Sequence, residues 1–190
     1  YSGDRLPAEA VGKVVAMADR LDTLTGIFAT GLKPSGNKDP FALRRAALGL
    51  IRILLDGELD IELDKTLAIT ALAVQEQLPV APEVLLEIRH FIVERLKNFL
   101  REQGYDTSLV NAALDAPLTT LPDLVRRLDA VREFMGHDAA PSLAAANKRI
   151  GNILRKSEIV AAGDIDDNLL LIEEERVLFE DIRKISVELI

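Results

Sequence analysis

The sequence predicts an all-α chain, a multi-helix array of about seven to eight helices in two packed sub-structures. Only 4% of its residues are aromatic, so it is poor in side chains that favour strands. Leu, Ala and Ile recur at spacings of three and four almost throughout, the period of a helix with one apolar face. Gly and Pro gather in short stretches between the periodic segments and punctuate them.

The first helix is expected over 8–28, with Val11, Val14, Val15, Ala18, Leu21 and Leu24 as its apolar stripe. Residues 31–37, GLKPSGN, read as a turn, because nothing periodic survives there. The second helix has the clearest start. Asp39 can cap the free N–H groups, and Pro40 suits the first helical position, where its missing N–H is not needed. Leu43, Ala47, Leu50 and Leu54 then face one way, and Gly57 is placed to end the helix. Further helices are expected over 63–77, 82–103, 108–116, 122–135 and 141–156, and from Asp167 onward. The stretches 116–122 (APLTTLP) and 136–141 (GHDAAP) are the best joints between sub-structures.

The 190 residues are 48% hydrophobic, with no run long and apolar enough to cross a bilayer as a helix. A chain of this length buries about 70% of its unfolded surface, enough for a core without staples. The lack of Cys excludes disulfides, thiolate zinc sites and cysteine nucleophiles, and it suits a reducing cytoplasm. The chain begins at Tyr1, and residues 185–190 read as a helix without a stop signal, so a piece of a longer protein is expected. The net charge of −8 runs against a simple nucleic-acid-binding domain, whose basic excess exchanges for counterions on phosphate. The acid is uneven, however: Asp164, Asp166, Asp167, Glu173, Glu174 and Glu175 form a stretch without a basic residue, while basic clusters stand elsewhere.

Two such clusters point to RNA. On the second helix Arg45, Gly49 and Arg52 stand at i, i+4 and i+7, opposite the Leu stripe and flanked by Arg44. A small residue between guanidinium groups would admit a phosphate backbone to their paired donors. An exposed arginine face balanced by surface acids explains the same pattern. In the helix over 141–156, Leu143, Ala146, Ile150 and Ile153 are expected to form a buried stripe. Lys148, Asn152, Arg155 and Lys156 share the other side, with Asn147 and Arg149 at its edge. Complementarity to the helix dipole accounts equally for cations in the last turn, at about 0.3–1 kcal/mol.

Catalytic readings fail on their residues. GLKPSGNK, 31–38, has Asn37 where a phosphate loop needs Lys, and Asp39 follows where Ser or Thr is required. His137-Asp138 and His90 supply the only two histidines, too few for a histidine-rich metal site. Asp19/Asp22 and Asp164/Asp166 lack a neighbouring base or nucleophile.

The segment Gly36-Asn-Lys-Asp-Pro-Phe-Ala-Leu-Arg-Arg-Ala-Ala-Leu-Gly49, followed by Leu50-Ile-Arg-Ile, closely resembles a signature of the bacterial glycyl-tRNA synthetase beta subunit. Ala18-Asp-Arg-Leu-Asp-Thr-Leu24 with Gly26-Ile-Phe28 is similar to that family's preceding helix, and 144–154, AAANKRIGNIL, to its later basic helix. The resemblance implies a heterotetramer of two alpha and two beta subunits, in which alpha activates glycine with ATP and Mg and beta binds tRNA(Gly). It implies three regions. Residues 1–35 would close an HD-like helical domain, 36–120 would form a helical linker or body, and 121–190 would open a truncated DALR-type anticodon-binding domain. Asp19 would match the last metal-ligand Asp of the HD pattern, the other ligands lying before Tyr1. No catalytic residue, metal or cofactor is therefore expected in this segment of a cytoplasmic ligase. Its RNA contacts would be Arg44, Arg45, Arg52, Asn147, Lys148, Arg149, Asn152, Arg155 and Lys156. A connector between domains, or to alpha, without RNA contact is the alternative.

Overall fold

The computed structural model describes residues 6–157 and 169–188. Those residues form eight helices and no strand, beyond one isolated bridge between Ser35 and Lys38. In chain order they are α1 (Ala10–Ala29), α2 (Leu43–Asp56), α3 (Leu63–Val74), α4 (Pro82–Glu102), α5 (Thr107–Asp115), α6 (Leu121–Phe134), α7 (Ala140–Ser157) and α8 (Glu173–Glu188). The all-α expectation is met. Asp164, Asp166 and Asp167, and with them the expected start of the last helix, lie outside the described residues, as does the end of the chain beyond Glu188.

The chain divides into two compact units between Asp138 and Ala139, inside the 136–141 stretch. In the first unit α4 is the spine. Pro82 begins it, and Ile88, Ile92 and Leu96 are wholly buried, with Leu100 almost so. Each such side chain contributes about 1.5–3 kcal/mol of transfer free energy. α1, α2, α3 and α5 lean on this spine, and α6 packs on α2 and α5. Leu50, Ile51 and Ile53 of α2, Leu24 and Phe28 of α1, and Leu121 and Leu124 of α6 join the same core. The 116–122 stretch lies inside this unit. Leu63 N donates to Thr119 O at 3.3 Å, and Thr120 caps α6 by accepting from Asp123 N at 3.3 Å. Thr120 Oγ1 and Arg126 Nη2 both donate to Asp60 Oδ1, at 3.0 and 2.8 Å. The Arg126 and Thr120 hydrogen bonds hold the Asp60 carboxyl below the usual carboxylate range.

Three local expectations are corrected. First, Val11, Val14, Val15 and Ala18 of α1 are exposed, and the buried face is Met17, Leu21, Leu24, Thr25 and Phe28. The helix is apolar over more of its surface than the core covers, and periodicity alone does not say which part is covered. Second, Pro40 precedes the helix. Asp39 to Ala42 make a turn closed by Ala42 N donating to Asp39 O at 3.2 Å, with Pro40 in the second position, where its fixed φ suits a β-turn. Asp39 still caps α2 from a distance: Leu43 N donates to its Oδ1 at 2.8 Å and Arg44 N to its Oδ2 at 3.0 Å. Third, Leu143, Ala146, Ile150 and Ile153 of α7 are exposed. The stripe exists at helical spacing, but no element of the described second unit buries it.

Candidate nucleic-acid interface

α2 presents its arginines because Leu43, Ala47, Leu50 and Leu54 fix the helix's rotation against the core. Arg45 stands exposed, while Arg44 and Arg52 are half-buried. Arg44 is held at its base by the Asp39 cap and donates from Nη2 to the Gly36 carbonyl, which ties the preceding turn to the helix. None of the three arginines forms an ion pair among the described residues.

The expectation for Gly49 is corrected. The space above it is filled by Arg20 of α1, whose Cδ and Cζ lie 3.2 and 3.3 Å from where a Cβ would stand. Arg20 Nη1 in turn donates to Ala16 O at 2.6 Å. Gly49 therefore lets α1 and α2 pack closely and brings a further guanidinium onto the α2 face. It does not leave an opening for a phosphate.

A second arginine set on α4, which sequence reasoning missed, meets the first. Arg44 and Arg45 line a groove of about 520 Å³ together with Arg95, Asn98 and Arg101 of α4, over a floor that includes Leu48 and Phe99. Glu102 is the one carboxylate in the lining. Arg95 lies over the Phe91 ring, its Cζ 5.5 Å from the centroid, and its buried Nε has no hydrogen-bond partner among the described residues. Arg101 donates from Nη2 to Asn98 Oδ1. The spacing of Arg95, Asn98 and Arg101 on one helix face is readable in the sequence. That this face meets Arg44 and Arg45 follows only from the packing of α2 on α4.

In the second unit Asn147, Lys148, Arg149, Asn152, Arg155 and Lys156 are all exposed on α7. Lys148, Arg149, Asn152 and Lys156 border a shallow depression with Ala145 and Ile153. None of these cations forms an ion pair among the described residues. The structure thus brings the α7 residues together on one helix and gathers Arg44 and Arg45 in the groove, while Arg52 lies outside the groove lining.

Other polar clusters are satisfied within themselves. Asp129 Oδ1 accepts from Tyr105 Oη at 2.8 Å and from Arg132 Nη2 at 2.7 Å, and the Arg132 guanidinium lies 4.9 Å above the Tyr105 ring. Burial, then the bond to Asp129, pushes the Tyr105 hydroxyl above its usual range. His90 and His137 are exposed, as is Asp19. No group of three His, Asp or Glu side chains among the described residues is close enough to hold a metal.

Residues 1–115 match the family described as glycyl-tRNA synthetase beta subunit. The chain is 43% identical over 186 residues to the glycine-tRNA ligase beta subunit of Methylobacillus flagellatus, an alignment covering 98% of this chain and 26% of that protein. It is 48% identical over 170 residues to the protein of the same name from Janthinobacterium sp., covering 90% of this chain and 24% of the relative. Against that of Pseudoalteromonas translucida it is 38% identical over 189 residues, covering 100% and 27%. The chain spans about a quarter of the length of the curated relatives it matches. Identity sustained along nearly the whole chain, together with a family match over its first 115 residues, places it in the glycyl-tRNA synthetase beta subunit family.

Proposed function

We propose that this chain is a non-catalytic, tRNA-binding portion of a glycine-tRNA ligase beta subunit, positioning tRNA(Gly) so that the alpha subunit can charge it. The observation that carries this reading is the set of cations on α2 and α7 left without carboxylate partners among the described residues. Several other cations are paired: Lys33 with Glu87, Arg89 with Asp64, and Arg126 with Asp60. Unpaired guanidinium and ammonium groups on rigid helix faces in an acidic molecule suit a polyanion that is gripped locally and repelled elsewhere.

On this reading the bond-making chemistry belongs to alpha, with its ATP and Mg, and the whole is a cytoplasmic heterotetramer of two alpha and two beta subunits. Residues 1–35 close an HD-like domain, with Asp19 at the position of that pattern's last metal-ligand Asp. Residues 36–120 form the helical body, and the 121–190 segment, whose α6 packs into the first unit's core, leads into a DALR-type anticodon-binding domain. A connector that orients domains without touching RNA is the competing reading. The test is tRNA binding by the intact subunit assembled with alpha, measured across a salt series with Arg149→Glu and Arg155→Glu combined. Loss of about 10-fold or more in affinity with a shallower salt slope is expected. Unchanged affinity and slope would favour the connector.

A further inference from the structure

We infer that the groove between α2 and α4 is a phosphate clamp for a polynucleotide backbone, with Arg95 and Arg101 of α4 completing a site that α2 begins with Arg44 and Arg45. The inference rests on the tRNA-binding reading above and adds residues and a geometry to it. Four guanidinium groups from two helices converge on one groove of about 520 Å³, against a single lining carboxylate, Glu102. None of the four is in an ion pair among the described residues: Arg44 donates to the Gly36 carbonyl, Arg101 to the Asn98 amide, and Arg95 lies over the Phe91 ring, with the Glu94 carboxylate in its electrostatic reach. Arg95 also keeps a buried donor without an acceptor among the described residues, which a protein seldom leaves unless the group's charge has another use.

Like charges lining one groove repel one another, and an anion between them turns the cost into attraction. Guanidinium presents paired donors in a planar fork that matches two phosphate oxygens, and two helices offering such forks can hold successive phosphates of one strand. The groove is open to solvent, whereas sites for small molecules enclose most of the ligand. A polymer that lies across the groove therefore fits it better than a free phosphate or a nucleotide. The elements that set it are rigid. α4 is anchored by Ile92 and Leu96, and α2 by Ala47 and Leu50, all essentially without exposure.

The test uses the intact subunit assembled with alpha, carrying Arg95→Gln with Arg101→Gln. A second variant, Arg45→Gln with Arg101→Gln, changes only exposed residues and so leaves the fold intact. Each pair is expected to weaken tRNA binding about 10- to 100-fold near physiological salt and to lower the slope of log affinity against log salt by about 1–2. Labelling of arginines by phenylglyoxal, read by mass spectrometry, is expected to show Arg45 and Arg101 protected by tRNA and not by millimolar pyrophosphate. Normal affinity and slope in the Arg45/Arg101 variant would overturn the clamp. So would protection by pyrophosphate with none by tRNA. If the α7 charge reversals weaken binding while both groove variants bind normally, the clamp falls and the broader tRNA-binding reading stands. If neither set has any effect, both fall.

Discussion

Asp39 shows how one carboxylate can organise a surface. Its two oxygens take the N–H groups of Leu43 and Arg44, so the first turn of α2 starts satisfied although Ala42, just before it, sits in the left-handed region at φ 55°. That conformation is unfavourable for a residue with a Cβ, and the cap offsets it. Replacing Asp39 with Ala is expected to cost about 1 kcal/mol, read as a lower midpoint in urea. Because the same carboxylate seats Arg44, it should also loosen the Arg44 contact to Gly36. That Asp39 caps the helix was legible in the sequence. The intervening turn was not, because Pro40 fits the first residue of a helix and the second residue of a β-turn equally well.

At the scale of elements, the helices were legible because their period is, and their ends fall within a few residues of the punctuation. α4 is expected over 82–103 and spans Pro82–Glu102. Which face each helix buries was less legible. α4 buries Ile88, Ile92 and Leu96 completely, while Val11, Val14 and Val15 of α1 are between 62% and 75% exposed. A stripe in the sequence records that a face is apolar, and only the packing of neighbours decides whether it is covered. Two substitutions separate these cases. Ile92→Ala should destabilise by about 2–5 kcal/mol through lost transfer energy and a cavity. Val14→Ser, on an exposed turn, should change stability by no more than about 0.5 kcal/mol. Chemical denaturation of both variants measures the difference. The same logic explains α7: its cationic side was read correctly as exposed, and its apolar side is exposed too.

At the scale of the whole molecule, a net charge of −8 coexists with cationic surfaces on α2, α4 and α7. The sum describes long-range repulsion, and the clusters, without ion pairs among the described residues, are where the proposed grip on a polyanion would act in spite of it. The clusters on α2 and α7 were legible, since each lies within one helix. The α4 arginines were not, because only tertiary packing carries Arg95 and Arg101 to Arg44 and Arg45, 50 or more residues earlier in the chain. Nor was the use of Gly49 to seat Arg20, which needs a neighbouring helix to be seen. The most direct test is photocrosslinking of glycine tRNA to the assembled ligase, with the attached peptides mapped by mass spectrometry. Crosslinks on α2 and α4 around Arg45 and Arg101, and on α7 around Lys148 and Arg149, are the expected result. Efficient crosslinking confined to other parts of the ligase, with these helices unlabelled, would contradict it.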